Sequence, residues 1–192
     1  MKKIIAIISG CLVAILLAVT ITLACTKFTA QAVVNEGATS IEIFKGSSTS
    51  TLEVSSERDE YKKIMELYNK SLKENTLSSL FQGATGFKAE VNDEEVSVST
   101  ITGNESTYVL HFIYNEVQTL KINNKDYIDE DSTTKETITY TGLYVVVNNS
   151  ANFTEYNVYL VNGSDAKSQY NVSLIAQQAD LYEYIGELKY IY

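Results

Sequence analysis

The N-terminal segment constrains this chain more than any other feature of its sequence. Residues 4–24 form an apolar run without a charged side chain, and Lys2 and Lys3 stand directly before it. In a helix with a rise of 1.5 Å per residue, a run of this length spans the hydrocarbon core of a bilayer. Lysines before such a run stay on the cytoplasmic side. The sequence therefore predicts that this segment enters a membrane and that the following residues lie outside the cytoplasm.

Three outcomes for this segment remain open from the sequence. Lipid attachment at Cys25 is the first, although Thr22 occupies the place of the usual aliphatic residue; Cys11 has the better local motif but comes too early. Cleavage after the small-x-small triplet 30–32 makes Val33 the new N-terminus and releases the protein. Retention of the whole run anchors the chain in the membrane. We expect a location on the extracytoplasmic face of the cell membrane, with secretion as the alternative.

Charge and cysteine content narrow the class of protein. The charged residues in 1–27 are three lysines. Because the whole chain has a net charge of -9, the rest of the chain has a net charge of -12. Nucleic-acid binding needs a basic patch, and we therefore predict no nucleic-acid partner. Both cysteines, Cys11 and Cys25, lie near the N-terminus. The exported part therefore folds without disulfides, which is typical of bacterial surface proteins rather than of small secreted domains of animals.

The remaining sequence predicts one domain behind a linker. Residues 1–25 are the predicted export signal or membrane anchor, and residues 26–40 are a predicted linker rich in small and polar residues. Residues 41–192 are long enough to build a single extracytoplasmic domain with its own core.

A helix is predicted from Ser56, a residue type that caps helix N-termini, to about Asn75. Glu66 and Lys70 lie on its polar side. Its apolar side chains recur three and four positions apart, as a one-sided stripe requires: Tyr61, Ile64, Met65, Tyr68 and Leu72.

Alternating apolar residues predict the strands, which are 41–44, 52–54, 96–100, 107–114, 117–122, 137–147, 154–161 and 170–176. Residues 107–114 are apolar on both sides, as in a central strand covered on two faces. Asn115 and Glu116 are read as a bulge between 107–114 and 117–122, and Gly142 as a second bulge.

The C-terminal residues 180–192 predict a second helix, with Asp180 and Glu183 as its capping box, although period-two alternation leaves a strand open for the same residues. Helices and strands are segregated along the chain and joined by short polar turns. The predicted fold class is therefore α+β, with an N-terminal helix packed on an antiparallel meander-like β-sheet of about five to seven strands and a short C-terminal helix.

Tyrosines are the candidate ligand-binding residues. The chain has 14 of them. Four fall on adjacent predicted strands: Tyr140, Tyr144, Tyr156 and Tyr159. An apolar ring with a hydroxyl suits the recognition of a sugar or a peptide on a sheet face, although tyrosine also favours strands for packing alone. The predicted partners are the membrane, through the N-terminal segment, and an unknown protein or glycan ligand.

No residue carries a recognisable catalytic or metal motif. His111 is the only histidine and no cysteine lies in the exported part, so a His/Cys zinc site is excluded and no serine-hydrolase motif accompanies the histidine. An acidic loop lacks the spacing and the glycine of an EF-hand: Asp126, Asp129, Glu130 and Asp131. We predict no catalytic residue, no metal ligand and no cofactor.

The expected function is a non-enzymatic binding or accessory module at the bacterial cell surface. The alternative is an extracytoplasmic hydrolase of glycans that works with a pair of carboxylates. Two facing acids in a deep pocket favour the hydrolase, whereas a shallow groove lined by Tyr140, Tyr144 and Tyr156 favours binding.

Overall fold

The structure is a computed structural model and describes residues 11–19, 27–29, 36–46, 51–75, 87–92, 95–121, 127–128, 137–152, 154–162, 167–168 and 170–188. Within these ranges the helices are α1 (11–19), α2 (Asp59–Ser71), α3 (Val98–Thr102) and α4 (Ala179–Glu187). None of the helices in these ranges has both the length and the apolar character that crossing a membrane requires. Cys25, Val33 and the acidic loop with Asp126, Asp129, Glu130 and Asp131 lie outside the described residues.

The strands are β1 (Lys27–Thr29), β2 (Ser40–Lys45), β3 (Thr51–Ser55), β4 (Lys73–Asn75), β5 (Phe87–Asn92), β6 (Val96–Ser97), β7 (Tyr108–Lys121), β8 (Tyr127–Ile128), β9 (Thr137–Val147), β10 (Thr154–Val161), β11 (Lys167–Ser168) and β12 (Tyr170–Ala176). The main sheet has the order β3-β2-β7-β9-β10-β12-β5-β8 and is antiparallel except for the pair β5–β8. Two short ladders, β1–β4 and β6–β11, complete the described sheets. The predicted α+β fold is confirmed; β1 lies within the segment predicted as a linker.

Both long helices of the domain pack on one face of the main sheet. The apolar stripe of α2 is buried as predicted, and Leu181 and Ile185 of α4 enter the same core cluster. On the outer side Lys70 of α2 pairs with Asp180 of α4, while Glu66 pairs with Lys63. We call the face of the sheet that α2 and α4 cover the helical face.

The opposite face of the sheet is covered only in part. A smaller apolar cluster joins Ile101 of α3 to Val109, Tyr144 and Val161 of the sheet. Strand β7 is therefore buried from two sides in its first half, where Val109 and Leu110 point to opposite faces and are both inaccessible. The two-sided burial predicted for residues 107–114 is confirmed.

Helix boundaries differ from the sequence expectation because other contacts replace the predicted caps. Ser56 lies in a turn where its amide donates to the carbonyl of Thr39, and α2 begins at Asp59 behind Arg58, which makes no side-chain cap. The predicted continuation to Asn75 is also wrong, because Lys73–Asn75 leaves the helix to form β4 against β1.

The predicted capping box of the C-terminal helix is wrong as well. Gln178 occupies the N-cap without a side-chain cap bond. The carboxylate of Asp180 accepts a hydrogen bond from Lys70 instead. The tertiary contact between α2 and α4 thus competes successfully with local capping.

Residues 96–100 alternate like a strand, yet only Val96–Ser97 forms one. The hydroxyl of Ser97 accepts a hydrogen bond from the amide of Thr100 at 3.3 Å and starts α3 at Val98. A serine that bonds the backbone three residues ahead favours a helix start over a continued ladder.

The bulge predicted at Asn115 and Glu116 is found, and the alternation of side chains in β9 changes near Gly142, although the ladder with β10 stays regular there. Strand β7 runs through Asn115 and Glu116 without a break, and its register with β9 shifts between Ile113 and Gln118. In β9, Tyr140 lies in the same core cluster as Leu143, although the two are three positions apart. Because neighbours in a regular strand alternate between faces, the alternation changes by one residue at Thr141 and Gly142.

Candidate functional site

The bulge in β9 separates the four predicted ligand-binding tyrosines. Tyr140 and Tyr156 lie in the core under the helical face. Tyr144 and Tyr159 belong to the smaller cluster on the opposite face. The structure therefore brings Tyr144 and Tyr159 together, as directly opposed residues of β9 and β10, and places the other two elsewhere.

Tyr140 and Tyr156 are buried, and their contacts lie inside the fold. The ring of Tyr140 meets Tyr114 edge-on at 5.9 Å, and burial raises the pKa of Tyr140 to about 12. The hydroxyl of Tyr156 donates to the amide oxygen of Asn148 at 2.7 Å and accepts from the hydroxyl of Thr154 at 2.7 Å. These contacts satisfy the hydrogen-bonding capacity of the Tyr156 hydroxyl within the fold.

Polar side chains form a continuous line across the face opposite the helices. Each is the direct register partner of the next on the adjacent strand, and directly opposed residues share one face of a sheet. We call this line the polar row; in strand order it consists of Glu53, Glu42, His111, Tyr144, Tyr159 and Asn171. With strands about 4.8 Å apart, the row extends over about 24 Å.

A carboxylate–histidine pair lies near one end of the polar row. The Nδ1 atom of His111 donates a hydrogen bond to Oε2 of Glu42 at 2.8 Å, and the side chains are 16% and 32% exposed. This bond places the imidazole proton on Nδ1. Burial lowers the pKa of His111 and outweighs the opposing effect of Glu42, so the folded protein favours the neutral ring.

Aromatic stacking holds the His111 ring in place. It lies parallel to the ring of Tyr144, with centroids 4.1 Å apart and an interplanar angle of 10°. Phe44 packs against the same tyrosine at 6.3 Å. Burial raises the pKa of Tyr144, and the charge of Glu42 adds to this rise. The phenol therefore stays neutral beside the imidazole.

Gly142 makes room for the other edge of the imidazole. A Cβ atom on Gly142 would lie 3.0 Å from Nε2 of His111, 3.1 Å from a methyl carbon of Val161 and 3.3 Å from the carbonyl oxygen of Phe112. Nε2 therefore lies close to strand β9 at Gly142. A general base needs its nitrogen about 2.6–3.2 Å from the atom that carries the proton, so this orientation suits a histidine that positions Glu42.

The Glu42 end of the polar row is acidic. Glu42 and Glu53 are directly opposed on β2 and β3. Among the described residues, no lysine or arginine forms an ion pair with either of them. Like charges in direct opposition destabilise a strand pair, so this arrangement opposes folding unless a cation binds.

The other end of the polar row presents a buried acceptor. Asn171 is 9% exposed, and within the described part of the chain its Oδ1 atom has no hydrogen-bond partner. A buried carbonyl oxygen without a donor costs about 1–3 kcal/mol. This oxygen is inaccessible to solvent, and the register continues beyond Asn171 to Asn92 on β5.

Sequence reasoning missed Glu42, Glu53 and Asn171 as candidate site residues. One signal was present: Glu42 alternates with Ile41 and Ile43, which turns it away from the core. The alignment of the row was not visible, since it depends on the register between strands distant in the chain.

The described residues contain no group of three or more histidine, cysteine or acidic side chains arranged to hold a metal ion. Comparisons of the chain with protein-family models, curated proteins and solved structures find no match. The site is therefore characterised by its own geometry.

His111 is expected to make folding stability depend on pH. Its pKa in the folded chain is below the ordinary value of 6.5 because burial disfavours the charged ring. Below pH 6.5 the unfolded chain therefore binds more protons than the folded one. The free energy of unfolding therefore decreases as the pH is lowered through this window, and it levels off below the pKa of the folded chain. Urea unfolding of the wild type and His111→Gln across this range measures the effect.

The comparison isolates one group, because His111 is the only histidine. Acidic residues that do not contact position 111 contribute equally to both proteins, so the difference in unfolding free energy between them reports His111 together with its partner Glu42. A difference that stays constant through the window contradicts the prediction. The single imidazole signal in a proton NMR titration gives the folded pKa independently.

Proposed function

We propose that this chain is an exported bacterial cell-surface protein, held at the extracytoplasmic face of the membrane by its N-terminal segment, and that the polar row binds a ligand without catalysis. The observation that carries the binding role is the orientation of His111. Its Nδ1 edge holds Glu42 and its Nε2 atom lies close to Gly142, while Glu42 and Glu53 remain accessible.

The surface of α1 supports the membrane role. Every residue of α1 is exposed, and its large apolar side chains are 50–62% exposed. Contiguous exposed apolar surface is a property of segments that contact a membrane or another protein. Lipid attachment at Cys25 is a further proposed route to the same location.

The location is tested by expressing the chain in a Gram-positive host, fractionating the cells and measuring the mass of the mature protein. We expect the protein in the membrane fraction, with a lipid-modified Cys25 or an intact Met1 as its N-terminus. A mature chain that starts at Val33 in the medium means secretion. Recovery of unprocessed chain from the cytoplasm contradicts the proposal.

A hydrolase that acts on glycans is the second candidate, and the opposed pair Glu42 and Glu53 favours it. Paired residues on adjacent strands have Cβ atoms about 4.5–5.5 Å apart. Retaining glycosidases hold their two carboxyl groups about 5–5.5 Å apart. Glutamates at such opposed positions can bring their carboxyl groups to that separation through side-chain rotation, and this would place a glycosidic bond between the two acids.

Binding and hydrolysis are separated by incubating the immobilised full chain with purified cell-wall glycan. We expect the glycan to be retained without formation of new reducing ends. New reducing ends that disappear in both Glu42→Gln and Glu53→Gln support the hydrolase and reject the binding role.

A further inference from the structure

On the basis of the proposed membrane location, we propose that one end of the domain lies directly against the bilayer that the N-terminal segment enters, so that the partner of this end is the lipid headgroup surface. We call it the membrane-proximal end. It consists of the β1–β4 ladder, the C-terminal end of α2, the N-terminal end of α4 and the turns 103–107 and 148–152.

The folded domain begins very close to the membrane segment. The apolar run ends at Ala24 and β1 begins at Lys27, with Cys25 and Thr26 between them. Because consecutive Cα atoms are about 3.8 Å apart, the Cα atoms of Ala24 and Lys27 are separated by at most about 11 Å. The headgroup layer on each side of a bilayer is about 5–7 Å thick. Strand β1 therefore begins at the level of the headgroups or just above them.

The β1–β4 ladder joins this entry point to the rest of the domain. Its register pairs Thr29 with Lys73 and Lys27 with Asn75. Lys73 follows two residues after Ser71, the last residue of α2. The chain that leaves the membrane is therefore fixed beside the C-terminal end of α2 by a strand ladder.

Backbone hydrogen bonds gather the remaining parts of the membrane-proximal end. The amide of Gln177 donates to the carbonyl oxygen of Ser71 at 3.1 Å, and the amide of Gln178 donates to that of Ser150 at 3.2 Å. The turn 103–107 lies at the same end of the sheet, since β7 begins where β9 ends. The end of α2, the start of α4 and both turns are therefore neighbours.

Charge favours this end of the domain over the opposite one. The opposite end holds the start of α2, because the amide of Ser56 donates to the carbonyl oxygen of Thr39 just before β2. Residues 36–39 and 56–60 contain four acids and one arginine, which are Glu36, Glu57, Asp59, Glu60 and Arg58. The turns 103–107 and 148–152 contain one acid, Glu105, and Asp180 at the start of α4 is paired with Lys70. Anionic headgroups repel acidic residues, so the end with fewer unpaired acids faces the bilayer.

The ladder also distinguishes the possible N-termini of the mature chain. Cleavage after the triplet 30–32 removes β1 and with it the β1–β4 ladder. Lipid attachment at Cys25 and retention of the whole apolar run both keep β1. The membrane-proximal end is therefore complete only in a chain that stays attached to the membrane.

The test measures how close each end of the full chain lies to lipid headgroups. The chain carries Cys11→Ser and Cys25→Ser and is reconstituted into vesicles of equal parts phosphatidylcholine and phosphatidylglycerol with added nickel-chelating lipid. A nitroxide is attached at Asn149→Cys on the membrane-proximal end, or at the control positions Glu57→Cys and Val117→Cys; all three residues are exposed. We expect relaxation enhancement by nickel to be at least about threefold larger at position 149 than at position 57, because α2 separates the two ends by about 20 Å.

A ladder variant tests how the orientation is fixed. Proline has no backbone N–H and disrupts strand pairing, so Phe28→Pro should abolish the β1–β4 ladder, whereas Phe28→Val should keep it. We expect the enhancement at position 149 to fall towards the value at position 57 in Phe28→Pro only. Equal unfolding midpoints show that the labelled variants are folded.

Equal enhancement at all three positions, or a larger one at position 57 than at position 149, overturns the inference. An unchanged value at position 149 in Phe28→Pro contradicts the role of the ladder. Flotation of the vesicles separates these results from a failure of the proposed function. A chain that floats with the vesicles but shows no preferred end is at the membrane in another orientation, whereas a chain that stays behind contradicts the membrane location itself.

Discussion

Replacing Phe112 with alanine is expected to lower the free energy of unfolding by about 3–5 kcal/mol. The Phe112 side chain is fully buried in the middle of β7, with its ring centroid 6.0 Å from that of Tyr68 on α2. Its register partners Ile41 and Leu143 are inaccessible as well. A cavity between two strands and a helix collapses poorly, because ladder hydrogen bonds fix the backbone on both sides.

The loss is large compared with the 5–15 kcal/mol by which such domains are stable. Urea denaturation followed by circular dichroism measures it. Val117→Ala is the matched control, because Val117 lies on the same strand and is 63% exposed. We expect this control to change stability by less than about 0.5 kcal/mol. Similar losses in both variants contradict the assignment of β7 to the core.

Replacing Gly142 with alanine is expected to cost about 1–3 kcal/mol, because the added methyl group overfills a close-packed site. The new Cβ atom lies 3.0 Å from Nε2 of His111 and must displace the ring or the strand. Displacement of the ring weakens the stack on Tyr144 and the bond to Glu42. Urea unfolding of the variant gives the cost.

A double-mutant cycle with His111→Ala tests the cause. Removal of the ring frees the closest neighbour of the new methyl group, so Gly142→Ala should cost less in the His111→Ala protein, by about 1 kcal/mol. If the two losses add without coupling, the imidazole does not explain why glycine is needed at this position.

Local periodicity predicted most of the secondary structure. The predicted ranges 137–147, 154–161 and 170–176 are those of β9, β10 and β12. The predicted apolar stripe of α2 is buried, whereas the burial of Leu67 and Ser71 was not predicted. Such patterns are visible in sequence because the partition between core and solvent repeats with the period of the element itself.

The ends of elements were predicted less well, since they depend on competing contacts. Ser56 and Asp180 are good local caps, but the first is held by Thr39 and the second by Lys70. Ser97, which the alternation assigned to a strand, caps α3 instead. A local cap stabilises a helix by about 1 kcal/mol, and one tertiary contact can outweigh this free energy.

By itself, the sequence determined an apolar N-terminal segment, a strongly acidic remainder, and an α+β domain with its main helices and strands. Only the tertiary structure decided which polar residues meet. A one-residue change of alternation at Gly142 sends Tyr140 into the core and Tyr144 to the opposite face. The register between strands distant in sequence then aligns Glu42, His111 and Asn171 in one row. The physical reason is that strand pairing is a long-range choice, selected by total burial rather than by local pattern.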